Sequence, residues 1–243
     1  MAANLQLLPE EIKLIGDAGW ILTKNSVIGK IVGMMAGLSE TYRGLWSGGI
    51  ADGMGDVGAA GVTSGLSGGV GTEGETGEGA AGIGGAGLSR GVSGGVGAAG
   101  GIEPGNAKIS RGENYRGLPW VILDYPRIFG REDVLAIRTM FWWGHPFSVT
   151  LHLKGRYQAL YVPVIERRSA RLAEAGFQAG IGADEWRHEH APDNYAPLAE
   201  VGHGGMDRPF VKLSAAVGLD RWAEAPELLT ALFGVLAATL KEA

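Results

Sequence analysis

Residues 132–154 constrain this chain most, because their apolar positions alternate with period two over two runs separated by a turn. Leu135, Ile137, Thr139, Phe141 and Trp143 share one side of the first run; Phe147, Val149, Leu151 and Leu153 share one side of the second. Successive strand side chains point to opposite faces, so the pattern predicts a hairpin with one packed face. A two-residue turn at Gly144-His145 would set Phe141 beside Ser148 and mix the faces. A three-residue loop over 144–146 pairs Phe141 with Val149, Thr139 with Leu151 and Ile137 with Leu153, which keeps them apart. That register also sets Arg138 directly across from His152.

The opposite face then carries Val134, Ala136, Arg138, Met140 and Trp142 against Ser148, Thr150 and His152. One reading is the wall of a site for a small anionic ligand. Arg138 would bind the anion, His152 would titrate, Thr150 would donate a hydroxyl and Trp142 would cover the site. The preceding Asp124-Tyr-Pro-Arg127 string ends a short strand expected over 120–125, so Asp124 and Arg127 join the candidate set. The other reading is a second packed layer whose Arg138 is paired with a carboxylate such as Asp124, the usual way a charge is accommodated inside structure.

Two segments flank this centre. Pro9-Glu10-Glu11 predicts a helix start, and Asn25 a cap for a second helix with Val27, Ile28, Ile31, Met35, Leu38 and Tyr42 on its packed side. Gly29, Gly33 and Gly37 recur every four residues there, as a close-packing ridge or simply as glycine bias. Downstream, helices are expected over 157–175, where Pro163 either kinks the helix or marks its true start, and over 226–241, with strands over 177–190 and 209–216. Strands in hairpins with helices grouped before and after give an α+β class, an antiparallel sheet packed by N- and C-terminal helices.

Between these segments lies the interval 47–105, where 24 of 59 residues are Gly. It holds six acids and one base, so its charge of −5 equals that of the whole chain. Its sparse apolar residues cannot offset the backbone entropy of so much glycine, so the expectation is a flexible, disordered insertion between residues 1–46 and 106–243 of one domain. The remaining 20 bases and 20 acids balance, which argues against nucleic acid as a partner. The chain has no Cys, which excludes disulfides and thiolate chemistry. The charges among residues 1–20 do not suit a signal peptide, and the longest apolar run, 228–240, is too short to span a bilayer. A cytoplasmic protein without membrane contact is therefore expected.

Trp186-Arg-His188-Glu-His190 is the strongest sequence candidate for chemistry. On a strand His188 and His190 would share a face and both reach one divalent ion such as zinc, with His203, Asp207 or Asp193 as a third ligand. That would make a metal-dependent hydrolase; the alternative is that one imidazole caps the following turn and the other is exposed. Nucleophile-elbow, His-Glu-x-x-His and dinucleotide motifs are absent.

The strings Glu113-Asn-Tyr-Arg-Gly-Leu-Pro-Trp120, Asp124-Tyr-Pro-Arg127 and Arg138-Thr-Met-Phe-Trp-Trp-Gly144 resemble a pattern in a group of uncharacterised bacterial proteins, as do Trp20-Ile-Leu-Thr-Lys-Asn25 and Asp193-Asn-Tyr195. The resemblance implies a bacterial single domain with the glycine-rich interval inserted, and it assigns no activity, cofactor or catalytic residue. The functional expectation is a binding or assembly module for a small anionic ligand or a protein partner, with a homo-oligomer as one form and no cofactor. Whether it is an enzyme is open.

Overall fold

A computed structural model describes residues 6–48, 104–202 and 205–243. In chain order its elements are α1 (Pro9–Ile15), α2 (Ala18–Ser47), β1 (Lys108–Tyr115), β2 (Leu118–Phe129), β3 (Val134–Trp142), β4 (Phe147–Lys154), α3 (Arg156–Arg167), α4 (Ser169–Glu174), β5 (Gln178–Gly180), β6 (Tyr195–Pro197), α5 (Leu198–Val201), β7 (Val211–Val217) and α6 (Ala225–Leu240). The class is α+β, with all seven strands in one antiparallel sheet ordered β1-β2-β3-β4-β7-β5-β6. Residues 49–103 of the glycine-rich interval, and His203, lie outside the described residues.

The hairpin forms with the expected faces but a different register. Ile137 pairs with Leu151, Thr139 with Val149 and Arg138 with Thr150, so His152 stands opposite Ala136 and not Arg138. A slip of two residues leaves every side chain on its original face, so the apolar pattern cannot detect it. The turn decides. His145 N–H donates to the Trp142 carbonyl at 2.9 Å, and Gly144 takes φ +77°, as the third position of a type II turn requires. The strands are therefore joined by 143–146, not by a three-residue loop.

β2 is longer than the segment expected between Pro119 and Pro126 and runs through both prolines. The Tyr125–Pro126 bond is cis, and the pairing with β3 shifts by one residue between Asp124 and Arg127. That bulge matters for the site. Asp124 and Arg127 are three apart, so a regular strand would place them on opposite faces; the inserted residue returns both to the same one. β1, which the sequence pattern did not suggest, pairs along β2, with Gly112 lying under the Trp120 ring, where a Cβ would come within 2.6 Å.

One sheet face carries the core. Val121, Leu123, Leu135, Ile137, Val149, Leu151, Leu213 and Ala215 pack against Ile28, Ile31, Met35 and Leu38 of α2 and Leu229, Phe233 and Leu236 of α6. Tyr42 stacks on Phe233 at 3.8 Å, and its hydroxyl pairs with Thr139 and the Leu229 carbonyl. The second helix does not begin near Asn25. Asp17 caps it by accepting from Gly19 N–H at 3.0 Å, and 30 residues follow unbroken. A Cβ on Gly29, Gly33 or Gly37 would meet nothing within 4 Å, so these glycines form no packing ridge. The helix expected over 157–175 is interrupted at Arg168, while Pro163 sits inside α3.

Candidate functional site

The second sheet face is polar, and its residues lie in rows across the strands. Asp124, Arg138, Thr150 and Ser214 form one row of paired positions; Arg127, Ala136, His152 and Lys212 form the next. Ile122, Met140 and Trp142 make a small apolar cluster at one end, backed by Tyr115, Leu118 and Trp120. All six candidate ligand residues, Asp124, Arg127, Arg138, Trp142, Thr150 and His152, therefore fall on this face. Lys212 and Ser214, which the sequence reading did not single out, join them. Their alternation with Val211, Leu213 and Ala215 was the available signal.

Residues 181–194, the connection between β5 and β6, lie over this face. The strand expected around Trp186–His190 does not form. Asp184 accepts from Trp186 N–H at 2.8 Å, and the Asn194 side chain caps the carbonyl of Glu189 at 2.7 Å, so polar side chains hold the backbone in turns. Arg187 is forked onto Asp193 at 2.8 and 2.9 Å. Tyr115 accepts at its hydroxyl from His188 N–H at 3.0 Å.

Arg138 is only 8% exposed. Its Nε and Nη2 donate to the two carboxylate oxygens of Asp124 at 2.8 and 3.1 Å, and Nη1 lies 3.2 Å from His188 Nε2. Each guanidinium nitrogen thus has a partner within the protein, which is the paired-layer arrangement. A bidentate, charge-assisted contact is the strongest way to hold a buried guanidinium. Arg127 lies further along β2 with its guanidinium 5.9 Å from the Phe129 ring. Trp142 donates through Nε1 to the Tyr115 carbonyl and is covered by the His145 ring at 3.4 Å.

The histidines are separated by their partners. His188 meets Arg138, whereas His190 Nε2 lies 2.9 Å from Ser214 Oγ, which also contacts Thr150 Oγ1 at 2.7 Å. Among the described residues no three His, Cys, Asp or Glu side chains gather as metal ligands, and His203 lies outside those residues. A cation beside Arg138 would also meet a like charge. The Ser214–His190 pair has the distance of a nucleophile and its base. Ser214 has no exposed surface, however, so a substrate has no path to its hydroxyl.

The electrostatics favour neutral imidazoles. Burial, then Lys212, Arg138 and Lys154, hold His152 down to about 3; burial and Lys212 hold His190 down to about 4. His188 is likewise held well below its ordinary value, by burial first and then by Arg138 and Lys212. Burial also lowers Lys212 to about 8, with Asp184 opposing the shift and Arg138 adding to it. The Lys212 ammonium donates to the Arg187 carbonyl at 2.5 Å and lies 5.3 Å from the centre of the Tyr195 ring. Desolvation raises the Tyr195 phenol, with the neighbouring Ser214 and Thr150 hydroxyls opposing the shift although the phenol oxygen has no hydrogen-bond partner of good geometry among the described residues. Glu189 is held by Arg116 at 2.5 Å, and Glu185 lies 3.5 Å from Lys154.

A groove of about 500 Å³ lies elsewhere, lined by Gln158, Val162, Pro163 and Glu166 of α3 and by residues 206–209; Asp207, a third-ligand candidate, borders it, whereas His188, His190 and the six anion-ligand candidates do not. No helix among the described residues is long and apolar enough to cross a membrane.

A different surface stands out on physical grounds. Every residue from 6 to 23 is exposed, and α1 buries none of its side chains. Leu7, Leu8, Ile12, Leu14, Ile15, Trp20, Ile21 and Leu22 are all open to solvent, Ile15 to 71% and Leu22 to 67%. The packed stripe of α2 begins only at Ile28, and Lys24 ties the base of this arm to Glu113 of β1 at 2.7 Å. No protein-family model matches the chain, and neither the curated proteins nor the solved structures contain a significant match to it.

Proposed function

We propose that this chain is an assembly module whose partner is a protein, docked on the apolar arm formed by α1 and the first turns of α2. The observation that carries this reading is the set of eight large apolar side chains on one continuous arm, which no described residue covers. Scattered apolar residues on a surface are ordinary, but a contiguous patch beyond a few hundred Å² marks an interaction site. The polar sheet face supports a small anionic ligand less well, because the donors of Arg138 are already taken by Asp124 and His188. A protein partner draws on the arm and leaves that layer intact.

In-cell photo-crosslinking tests the proposal. A photoreactive phenylalanine analogue at Ile15 is expected to give discrete covalent adducts that Leu22→Glu in the same chain removes. The same analogue at Glu40, on the exposed side of α2 within the body, is the control. Absence of adducts from position 15, or adducts indifferent to Leu22→Glu, overturns the reading.

A further inference from the structure

We infer that the protein docked on the arm is a second copy of this chain, so that two arms pack together in a symmetric dimer. The inference rests on the docking reading above and adds the identity of the partner.

The shape of the apolar surface asks for enclosure and not for a flat contact. Consecutive helical residues are about 100° apart, so Trp20, Ile21 and Leu22 together cover more than half of the helix circumference. Leu8, Ile12 and Ile15 run along α1 at spacings of four and three. A helix apolar on most sides is stable when other helices surround it. The two helices of a second arm supply that surround from the same residues, closing a four-helix cluster.

Area and charge agree with a self-pairing. The eight exposed side chains offer several hundred Å² of apolar surface, of the order of the roughly 800 Å² per partner that a stable interface buries. A two-fold interface brings each patch onto its own copy, so it must be self-complementary in charge. From Gln6 to Lys24 the arm carries Glu10, Glu11 and Asp17 against Lys13 and Lys24, a net charge of −1 with both signs present. An arm of one sign would repel its copy. The same count weighs against a lipid surface, since helices that lie on membranes are rich in Lys and Arg on their polar side, and here two acids occupy the first turn of α1. The glycine-rich interval offers only sparse, small-to-medium apolar side chains with which to cover the arm.

The test is sedimentation and light scattering of the full chain, with its Ile15→Glu/Leu22→Glu variant alongside. Twice the monomer mass of 25.3 kDa is expected for the parent chain. Self-association about a hundred-fold weaker or more is expected for the variant, because four buried apolar side chains become charged across the two-fold axis. Circular dichroism and thermal unfolding of the variant establish that the body is folded, since the substituted residues contribute nothing to its core. A parent chain that stays monomeric overturns the inference; if position 15 still crosslinks to a different protein, the docking reading survives without it. A dimer that the double variant leaves unchanged also overturns it. So does a crosslink that stays within one chain and maps to the glycine-rich interval, or binding of the arm to phosphatidylglycerol vesicles by a monomeric parent. If no crosslink forms and the chain is monomeric, the docking reading falls as well.

Discussion

Acid is expected to weaken this fold through the histidines of the polar sheet face. An imidazole in the unfolded chain titrates near 6.5. In the fold His152 is held down to about 3 and His190 to about 4. Between those values and 6.5 the unfolded chain binds more protons than the native one, so stability is lost as pH falls through this window and is fully present above it. At pH 4.5 the medium is two units below the unfolded value. Each unit is worth about 1.4 kcal/mol per group, so each histidine removes about 2–3 kcal/mol and the two together roughly 5 kcal/mol. That is a large share of the roughly 5–15 kcal/mol that holds a domain together. One contact works the other way: Glu185 Oε2 lies 3.2 Å from His152 Nε2. The two atoms do not have hydrogen-bond geometry, and the same carboxylate faces Lys154, so three cations around His152 outweigh it. The assay is urea unfolding at pH 7 and pH 4.5, followed by tryptophan fluorescence, on the parent chain and on His152→Gln/His190→Gln. Any constant cost of the substitutions cancels when each protein is compared with itself. The parent is expected to lose roughly 5 kcal/mol more than the variant between the two pH values. Equal losses would mean that the imidazoles titrate normally in the fold, and the argument from burial and neighbouring cations would fail.

Two further outcomes follow from the same face. Lys212 is lowered to about 8 from an ordinary value near 10.5, so the unfolded chain holds its proton longer and stability rises with pH between them. A gain of about 1–2 kcal/mol from pH 8 to 9.5, absent in Lys212→Met, is expected in urea unfolding; a flat profile in the parent would count against a buried ammonium. Asp124→Asn removes the charge that holds Arg138 and is expected to cost about 3–5 kcal/mol, whereas Asp124→Leu/Arg138→Met costs less because no charge is left buried alone. A double variant weaker than Asp124→Asn would show that the pair is net stabilising.

Parts of this arrangement were legible in the sequence for specific reasons. The alternation at 134–154 fixed which residues share a face, so Arg138, Thr150 and His152 could be grouped before any pairing was known. It could not fix the register, since moving the partner strand by two residues preserves every face; the turn at Gly144 made that choice. Asp124 and Arg127 reach the same face only through a bulge at Pro126, which no periodicity announces. β1 was unreadable because Lys-Ile-Ser-Arg-Gly-Glu-Asn-Tyr alternates poorly, and its Gly112 makes sense only once Trp120 lies across it. The Trp186–His190 segment looked like a strand because its residue types alternate, yet Asp184 and Asn194 capture its backbone first. The exposure of the arm was also hidden: apolar spacing predicts that a helix needs a partner, not whether the same chain supplies one.

The polar layer has a structural explanation that bears on where function sits. The segment over the second sheet face is irregular, so its backbone carbonyls have no ladder to join and each needs a donor. The protein supplies those donors from beneath and beside. Arg208 donates to the carbonyls of Gly180, Ile181 and Gly182, Lys212 to that of Arg187, and Asn194 to those of Arg187 and Glu189. Of these donors only Lys212 rises from the sheet itself; an apolar residue there would leave the Arg187 carbonyl with only the 3.4 Å contact from Asn194, at a cost of about 1–3 kcal/mol. The cost of holding Lys212 and three histidines away from water is offset only in part inside the fold, since His152 Nε2, His188 Nδ1 and the Tyr195 hydroxyl are buried without a hydrogen-bond partner among the described residues. The arm carries a deficit of another kind, apolar surface that nothing in its own chain covers among the described residues. Disrupting the layer should then change stability and leave association intact while the body is folded, and substituting the arm should do the reverse. A Lys212 variant that lost self-association while folded would break that division.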